Sequence, residues 1–500
     1  MALGANKAAL LGAAGSSTTS GYTIDQSIRF PRTNNTTGGG YMSRTFGSAG
    51  DRTSWTWSCW FKLGSLNGFT AASGLYYQFF ACDNATNDAN RGSFHIIADS
   101  GVASAIAFQF QAHSTSFIRT NRQFRDPSAW MHLVLVWDSD NAVASERVRL
   151  YINGQRETSF AASSNPTSGQ EIGINLNATH RLGISYNISG GSVNYPFDGY
   201  MADIHFLDGY SYGPEYFGET NSSGLWIPKE YSGSYGSNGF KIDGRDSSDL
   251  GDDESGNGND FSTSGLGAHD QVLDSPTNNF CTINAVYTDN SSQVSFDAGT
   301  LSNGNLVYVG SNNTFSVKGF TFNLPKSGKW YFEYMIGGTS DGFGFVKQGE
   351  QGSINASNGP GQLSVAQGGG IQYSGWRNGG NFTVNFGTTF TAGHIHQVAI
   401  DVDNGKFFYG VQNTYYAADA GTDGNPSAGT NETSTFAFST TDVVLLAGNY
   451  TGTQYWNFGQ DGTFAGQQTA QGNSDANGVG NFFYAPPTGY KALCTKNLGS

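Results

Sequence analysis

The sequence has little cysteine, little positive charge and no long apolar run. The four cysteines, Cys59, Cys82, Cys281 and Cys494, stand singly, with no Cys-x-x-Cys spacing. That excludes a disulfide-stapled scaffold and reads as thiols packed like small hydrophobes, in keeping with assembly in a reducing cytoplasm. Only 25 Lys and Arg face 39 Asp and Glu, a formal charge of -14. Such a balance excludes a nucleic-acid surface or an anionic-membrane surface. No segment approaches the roughly 20 apolar residues that a membrane helix needs, so membrane insertion is not expected. The opening MALGANKAALLGAAGSS carries only Lys7 as a charge before a short apolar run, which is thin for a secretory leader. Residues 1–21 read instead as a small-residue segment that becomes ordered when docked on a partner.

Chemistry-bearing motifs are also scarce. Gly-rich stretches such as GGGIQYSG lack the Lys-Ser/Thr ending of a phosphate loop and read as turns. His394 and His396 have an i, i+2 spacing that could suit a metal pair. No other histidine follows His269 and no cysteine lies near, so a complete zinc set is not expected. Asp138 with Asp140, and Asp401 with Asp403, could each hold a cation or a catalytic proton. Both pairs precede a hairpin turn, where Asp commonly hydrogen-bonds the turn backbone.

What is abundant is turn and strand chemistry: 70 Gly, 36 Phe and 25 Tyr. Short aromatic and β-branched runs between Gly-rich turns predict an all-β chain. In SWTWSCWFKL (54–63), Trp55, Trp57, Cys59, Phe61 and Leu63 share one face and Trp60 the other, which predicts a strand in a sandwich core. HLVLVWDSDNAVASERVRLYINGQ (132–155) reads as a hairpin. HQVAIDVDNGKFFYGVQN (396–413) reads as a second, turned by Asp403, Asn404 and Gly405.

SIRF, WTWSCWFKL, the first hairpin and FDGYMADIHFLDG occur in the order and spacing of laminin-G-like, concanavalin-A-like jelly rolls, and residues 22–215 resemble that family. SGKWYFEYMI, GIQYSGWRNGG, the second hairpin, WNFGQDGTF and YAPPTGYKAL resemble a SPRY domain over residues 296–500. The expected fold is therefore two antiparallel β-sandwiches of concanavalin-A-like and SPRY type. An acidic Gly/Ser/Asn-rich connector, residues 216–295, would join them. The pairing resembles virion structural proteins of tailed bacteriophages, which implies a tail or capsid appendage on a virion assembled in the host cytoplasm. Its expected partners are other virion proteins, through residues 1–21, and a host-surface glycan or receptor. Repeated display on a symmetric particle favours homo-oligomers.

The jelly-roll resemblance brings glucanases with it, and these carry an E-x-D-x-(x)-E strand of paired carboxylates. Glu171, Glu333 and Glu350 are followed by IGIN, YMIG and QGSI, so the expectation is a binding protein and not a depolymerase. The alternative is a purely structural role against neighbouring virion subunits. For a ligand site, Tyr373, Trp376 and Arg377 combine aromatic faces with a fixed charge between glycines. In KIDGRDSSDLGDDESGNGND (241–260), Asp252 and Asp253 are weak calcium candidates, since the spacing departs from a calcium loop. No cofactor is otherwise expected.

Overall fold

The computed structural model describes residues 21–33, 38–65, 76–83, 90–98, 106–112, 115–187, 192–286, 299–310, 316–338, 342–348, 368–372, 375–378, 381–385, 390–419, 421–440, 442–449 and 452–498. The chain divides into two compact units, Met1–Thr277 and Asn278–Ser500.

In the first unit the strands are β1 (Ser27–Phe30), β2 (Tyr41–Thr45), β3 (Ser54–Leu63), β4 (Tyr76–Asp83), β5 (Arg91–Ala98), β6 (Ile106–Gln111), β7 (Ser116–Thr120), β8 (Met131–Asp138), β9 (Val148–Ile152), β10 (Gln155–Arg156), β11 (Phe160–Ser163), β12 (Thr179–Leu182), β13 (Ser185–Asn187), β14 (Ser192–Asn194), β15 (Gly199–Asp208), β16 (Gly218–Thr220), β17 (Trp226–Pro228), β18 (Phe240–Ile242), β19 (Ser262–Ser264) and β20 (Gln271–Val272). They form two large antiparallel sheets and two two-stranded ribbons, β13-β14 and β16-β17. One large sheet runs β10-β9-β8-β3-β15-β1-β20 with β18 beside β15, the other β11-β7-β6-β5-β4-β12-β2-β19.

The predicted alternation of β3 holds. Trp55, Trp57, Cys59, Phe61 and Leu63 enter one core with Phe79, Phe94, Phe108 and Phe110 from the facing sheet. Burying each large apolar side chain contributes about 1.5–3 kcal/mol. Trp60 points the other way, packing with Ile24 and Ala202 against Trp130 and Trp226. The first hairpin pairs Leu135 with Leu150 and Trp137 with Val148. Asn153 and Gly154 then turn the chain into β10, both at positive φ (49° and 74°). A Cβ at Gly154 would also strike the Trp226 ring at 2.5 Å, so that position requires glycine.

The structure departs from the expected connector. Residues 216–277 belong to the first unit, where β18 pairs with β15, β19 with β2 and β20 with β1. The physical reason lies on the outer face of the first sheet, which carries charge. Lys62 and Arg29 are fully buried there, and the later segment brings Asp274 to Lys62 (2.8 Å) and Asp270 to Arg29 (3.2 Å). Buried charges persist only when paired. All four cysteines are buried and none forms a disulfide.

The second unit is also a two-sheet sandwich. Its larger sheet runs through Thr300–Ser302, Val307–Val309, Thr453–Asn457, Lys329–Ile336, Ile395–Asp401, Lys406–Val411 and Thr414–Tyr416. The smaller runs through Ser316–Gly319, Val443–Asn449, Gly342–Lys347, Gly368–Gln372, Gly375–Asn378 and Asn381–Asn385. The second hairpin pairs Ile400 with Phe407, and Gly405 closes its turn at φ 63°. Short Lys491–Ala492 joins Lys329–Ile336 in parallel; the strand pairs are otherwise antiparallel among the described residues.

Candidate functional site

The outer face of the second sheet in the first unit carries a row of polar side chains. Phe94 and Ile96 of β5, and Phe108 and Phe110 of β6, fill the core. Period-2 alternation therefore turns His95 and Gln109 away from it. Register aligns Gln78, His95, Gln109 and Arg119 across β4, β5, β6 and β7. Gln78 is satisfied, its Nε2 donating to the Phe80 and Phe94 carbonyls at 3.0 and 3.1 Å. The next two are not. His95 is 1% exposed, and neither its Nδ1 nor its Nε2 makes a hydrogen bond. Gln109 neighbours the ring without a directed bond: its Nε2 donates to Gln111 Oε1 at 2.9 Å, and its Oε1 has no donor.

Aromatic rings frame the row. Tyr76 meets His95 edge to face at 4.6 Å and Tyr195 likewise at 4.6 Å. Burial, with the nearby Arg91 charge, pushes the His95 imidazole down to about 3, so the ring is neutral at pH 7. A neutral imidazole has one donor and one acceptor, and an amide oxygen is an acceptor. Groups that donate and accept at once, hydroxyls or water, satisfy that set. Leaving buried polar atoms unmet costs about 1–3 kcal/mol each, and a water or hydroxyl reaching this row would relieve that cost. The sequence reading missed it. The available signal was AFQFQ, 107–111, where neutral amides alternate with aromatics.

Around His132 the outer face of the first sheet is polar but closed. His132 stacks on Trp60 at 4.7 Å. Trp226 Nε1 donates to His132 Nδ1 (3.0 Å), and His132 Nε2 lies 2.8 Å from Ser58 Oγ. Because Nδ1 accepts, the proton sits on Nε2 and is donated to Ser58. This tautomer cannot take the serine proton, and the pair is no nucleophile and base. A cavity of about 110 Å3 nearby is lined by Tyr22, Asp25, Asp203, Asp243 and Arg245. Asp203 sits at φ 50° in the bulge where β15 slips against β3. Burial works to raise its pKa, but His205 at 3.1 Å, Lys241 and the Tyr22 hydroxyl at 2.8 Å outweigh it and hold the carboxyl down to about 2.

The residues singled out from the sequence fall elsewhere. Tyr373 lies outside the described residues. Trp376 and Arg377 lie in strand Gly375–Asn378, opposite Ile371 and Gly370, and their side chains are outside what is described. Asp252 is exposed, whereas Asp253 is buried and fully engaged. Its Oδ1 accepts from the Lys241 and Ser255 amides (2.8 and 2.9 Å), its Oδ2 from Ser255 Oγ and the Asn259 amide (both 2.8 Å). Three backbone amides and the Ser255 hydroxyl thus occupy the oxygens of Asp253, while Asp252 faces solvent.

Asp138 and Asp401 organise their turns. Asn141 Nδ2 donates to Asp138 at 2.9 Å, and the Asn404 amide and side chain donate to Asp401 at 3.1 and 2.9 Å. Asp140 is exposed, and Asp403 accepts from the Gly328 amide at 3.0 Å. His394 meets the Thr391 hydroxyl, while His396 is buried with Nδ1 on the Tyr409 hydroxyl. Among the described residues no three His, Cys, Asp or Glu converge as a metal site.

Residues 35–210 match the family model described as the concanavalin A-like lectin/glucanases superfamily. The chain therefore contains a concanavalin A-like, laminin-G-type jelly-roll domain. No curated protein matches the sequence. Among solved structures, a native heptameric SAP-like pentraxin from Limulus polyphemus is 18% identical, with a TM-score of 0.28, over 38% of this chain and 78% of that one. The SPRY domain of human HERC1 is 10% identical, TM-score 0.24, over 32% and 91%. Domain 4 of AbnA, an extracellular arabinanase of Geobacillus stearothermophilus in complex with arabinotriose, is 17% identical, TM-score 0.23, over 35% and 69%.

Proposed function

We propose that this chain is a non-enzymatic saccharide-binding protein whose first sandwich holds sugar hydroxyls on the row formed by His95, Gln109 and Arg119. The observation that carries the reading is a pair of buried side chains on a framed sheet face: both ring nitrogens of His95 and the Oε1 of Gln109 make no hydrogen bond. The concanavalin A-like match supports it. Hydroxyls supply the missing donors, to Gln109 Oε1 and one imidazole nitrogen, and the missing acceptor for the imidazole N–H, and Arg119 adds charge-assisted bonds to oxygen. In the second sandwich Tyr373, Trp376 and Arg377 are the proposed contacts.

The sequence resemblance to phage virion proteins supports display on a virus particle, with residues 1–21 docking on other virion subunits. Repetition on the particle would then raise avidity for a host-surface glycan. The test is titration of the full chain with host-type oligosaccharides and polysaccharides, following heat and new reducing ends together. Binding that falls at least tenfold in His95→Phe and Gln109→Leu, with no reducing ends formed, is the expected result. Unchanged binding in both variants removes the site, and sustained release of reducing ends removes the non-enzymatic reading.

A further inference from the structure

After β15 the chain runs Gly209-Tyr-Ser-Tyr-Gly-Pro-Glu-Tyr-Phe217. Its first five residues spell Gly-x-Ser-x-Gly, the letters of a nucleophile elbow. The context is wrong for one. A short 3-10 turn, Pro214–Tyr216, follows instead of a helix, and Ser211 serves through its carbonyl, which accepts from Arg149 Nη2 at 3.3 Å. What the segment builds is aromatic.

Tyr212 and Tyr216 stack face to face at 4.2 Å with only 8° between their planes, and Tyr210 lies 5.4 Å from Tyr212. Tyr216 is 41% exposed. Beneath lies an apolar base of Val134, Val136, Leu207 and Phe217, against which Tyr151, Tyr210 and Tyr212 pack half-buried. The backbone is pinned from the sheet: Thr56 Oγ1 donates to the Tyr210 carbonyl at 2.8 Å and accepts from the Tyr212 amide at 2.9 Å. Pro214 fixes φ at the start of the turn. The rings are thus ordered before any ligand arrives, which removes most of the entropy that binding would otherwise consume.

Polar groups border the platform. Arg149 is ion-paired with Asp138 at 3.7 Å, and its buried Nε makes no hydrogen bond. The exposed ring of Tyr216, backed by Tyr212 and bordered by a guanidinium and a carboxylate, matches a sugar ring. One face of a pyranose is lined by C–H bonds, which lie favourably on the negative face of an aromatic ring. Its rim is lined by hydroxyls, which accept from Arg149 and donate to Asp138.

We infer that Tyr212, Tyr216 and Arg149 form a second saccharide site in the first unit, for a neutral pyranose with an exposed apolar face. It lies on the outer face of the first sheet, whereas His95 and Gln109 lie on the outer face of the second. The two sites share no residue, so either can stand without the other.

The test uses the full chain with cellohexaose, xylohexaose and mannohexaose as probes, read by calorimetric titration, with deca-proline as a non-sugar probe of the same aromatic surface. Binding of at least one hexaose is expected. It should weaken tenfold or more in Tyr216→Ala, persist in Tyr216→Trp, and survive in the His95→Phe Gln109→Leu double variant. Tyr216 is 41% exposed, so Tyr216→Ala should stay folded and lose only the stacking on Tyr212. Binding of deca-proline alone, binding of no hexaose, or a hexaose affinity indifferent to Tyr216→Ala overturns the inference. Loss in the double variant with full retention in Tyr216→Ala supports the first site and sinks this one.

Discussion

Lys62 Nζ lies 2.8 Å from Asp274 Oδ2, with neither side chain exposed to solvent. The partners are 212 residues apart in the chain, and Asp274 Oδ1 also accepts from Trp130 Nε1 at 2.9 Å. This pair closes the late segment over the first sheet. Removing one member leaves the other charge buried without its counter-ion, which costs about 3–5 kcal/mol. Lys62→Met should therefore destabilise the first unit by that order, and Lys62→Met with Asp274→Asn should recover much of the loss. Urea denaturation of the three proteins checks this; equal stability of the single and double variants would refute it.

Three buried histidines set an acid limit on the first unit. Burial, its largest cause in each case, pushes His95 and His132 down to about 3 and His180 to about 4. In the unfolded chain they protonate near 6.5. Their contribution is present above pH 6.5 and is lost as pH falls towards the folded values. By pH 5 the loss is on the order of 2 kcal/mol for each. Calorimetric melting between pH 7 and pH 5 should show the first unit weakening, and His180→Gln should reduce the slope.

Glu333 acts in the opposite sense in the second unit. Burial pushes its carboxyl up to about 7, against the pull of the Phe483 and Tyr484 amides and the Tyr331 hydroxyl, which donate to it at 2.9, 2.8 and 2.8 Å. Its stabilisation is complete below about pH 4.5 and is lost as pH rises to about 7, by a few kcal/mol. His396, held down to about 3 by burial, pulls the same unit the other way. The difference in melting between the parent and Glu333→Gln isolates the carboxyl. That difference should change steadily from pH 4.5 to 7 and be flat above; a difference independent of pH would sink the assignment.

Asp253 holds its turn by four hydrogen bonds. Asp253→Ala leaves the Lys241, Ser255 and Asn259 amides without their acceptor and should destabilise the first unit by about 2 kcal/mol. Calcium should not substitute: titration of the parent chain is expected to show no tight site. A tight calcium site lost on Asp252→Asn with Asp253→Asn would reverse this reading.

The alternation of β3, and the Asp403-Asn404-Gly405 turn, were determined by sequence alone. A strand's faces repeat every two residues, and a tight turn demands particular residue types, so both are local properties of the chain. All-β sandwiches followed from them. Local patterning could not show that residues 216–277 belong to the first unit. Nothing local to Asp274 shows its partner until a buried lysine far away is known to need it. Nor could it mark His95 and Gln109. Alternation separates polar from apolar positions, but which polar atoms end buried and without partners depends on the register of four strands brought together only by folding.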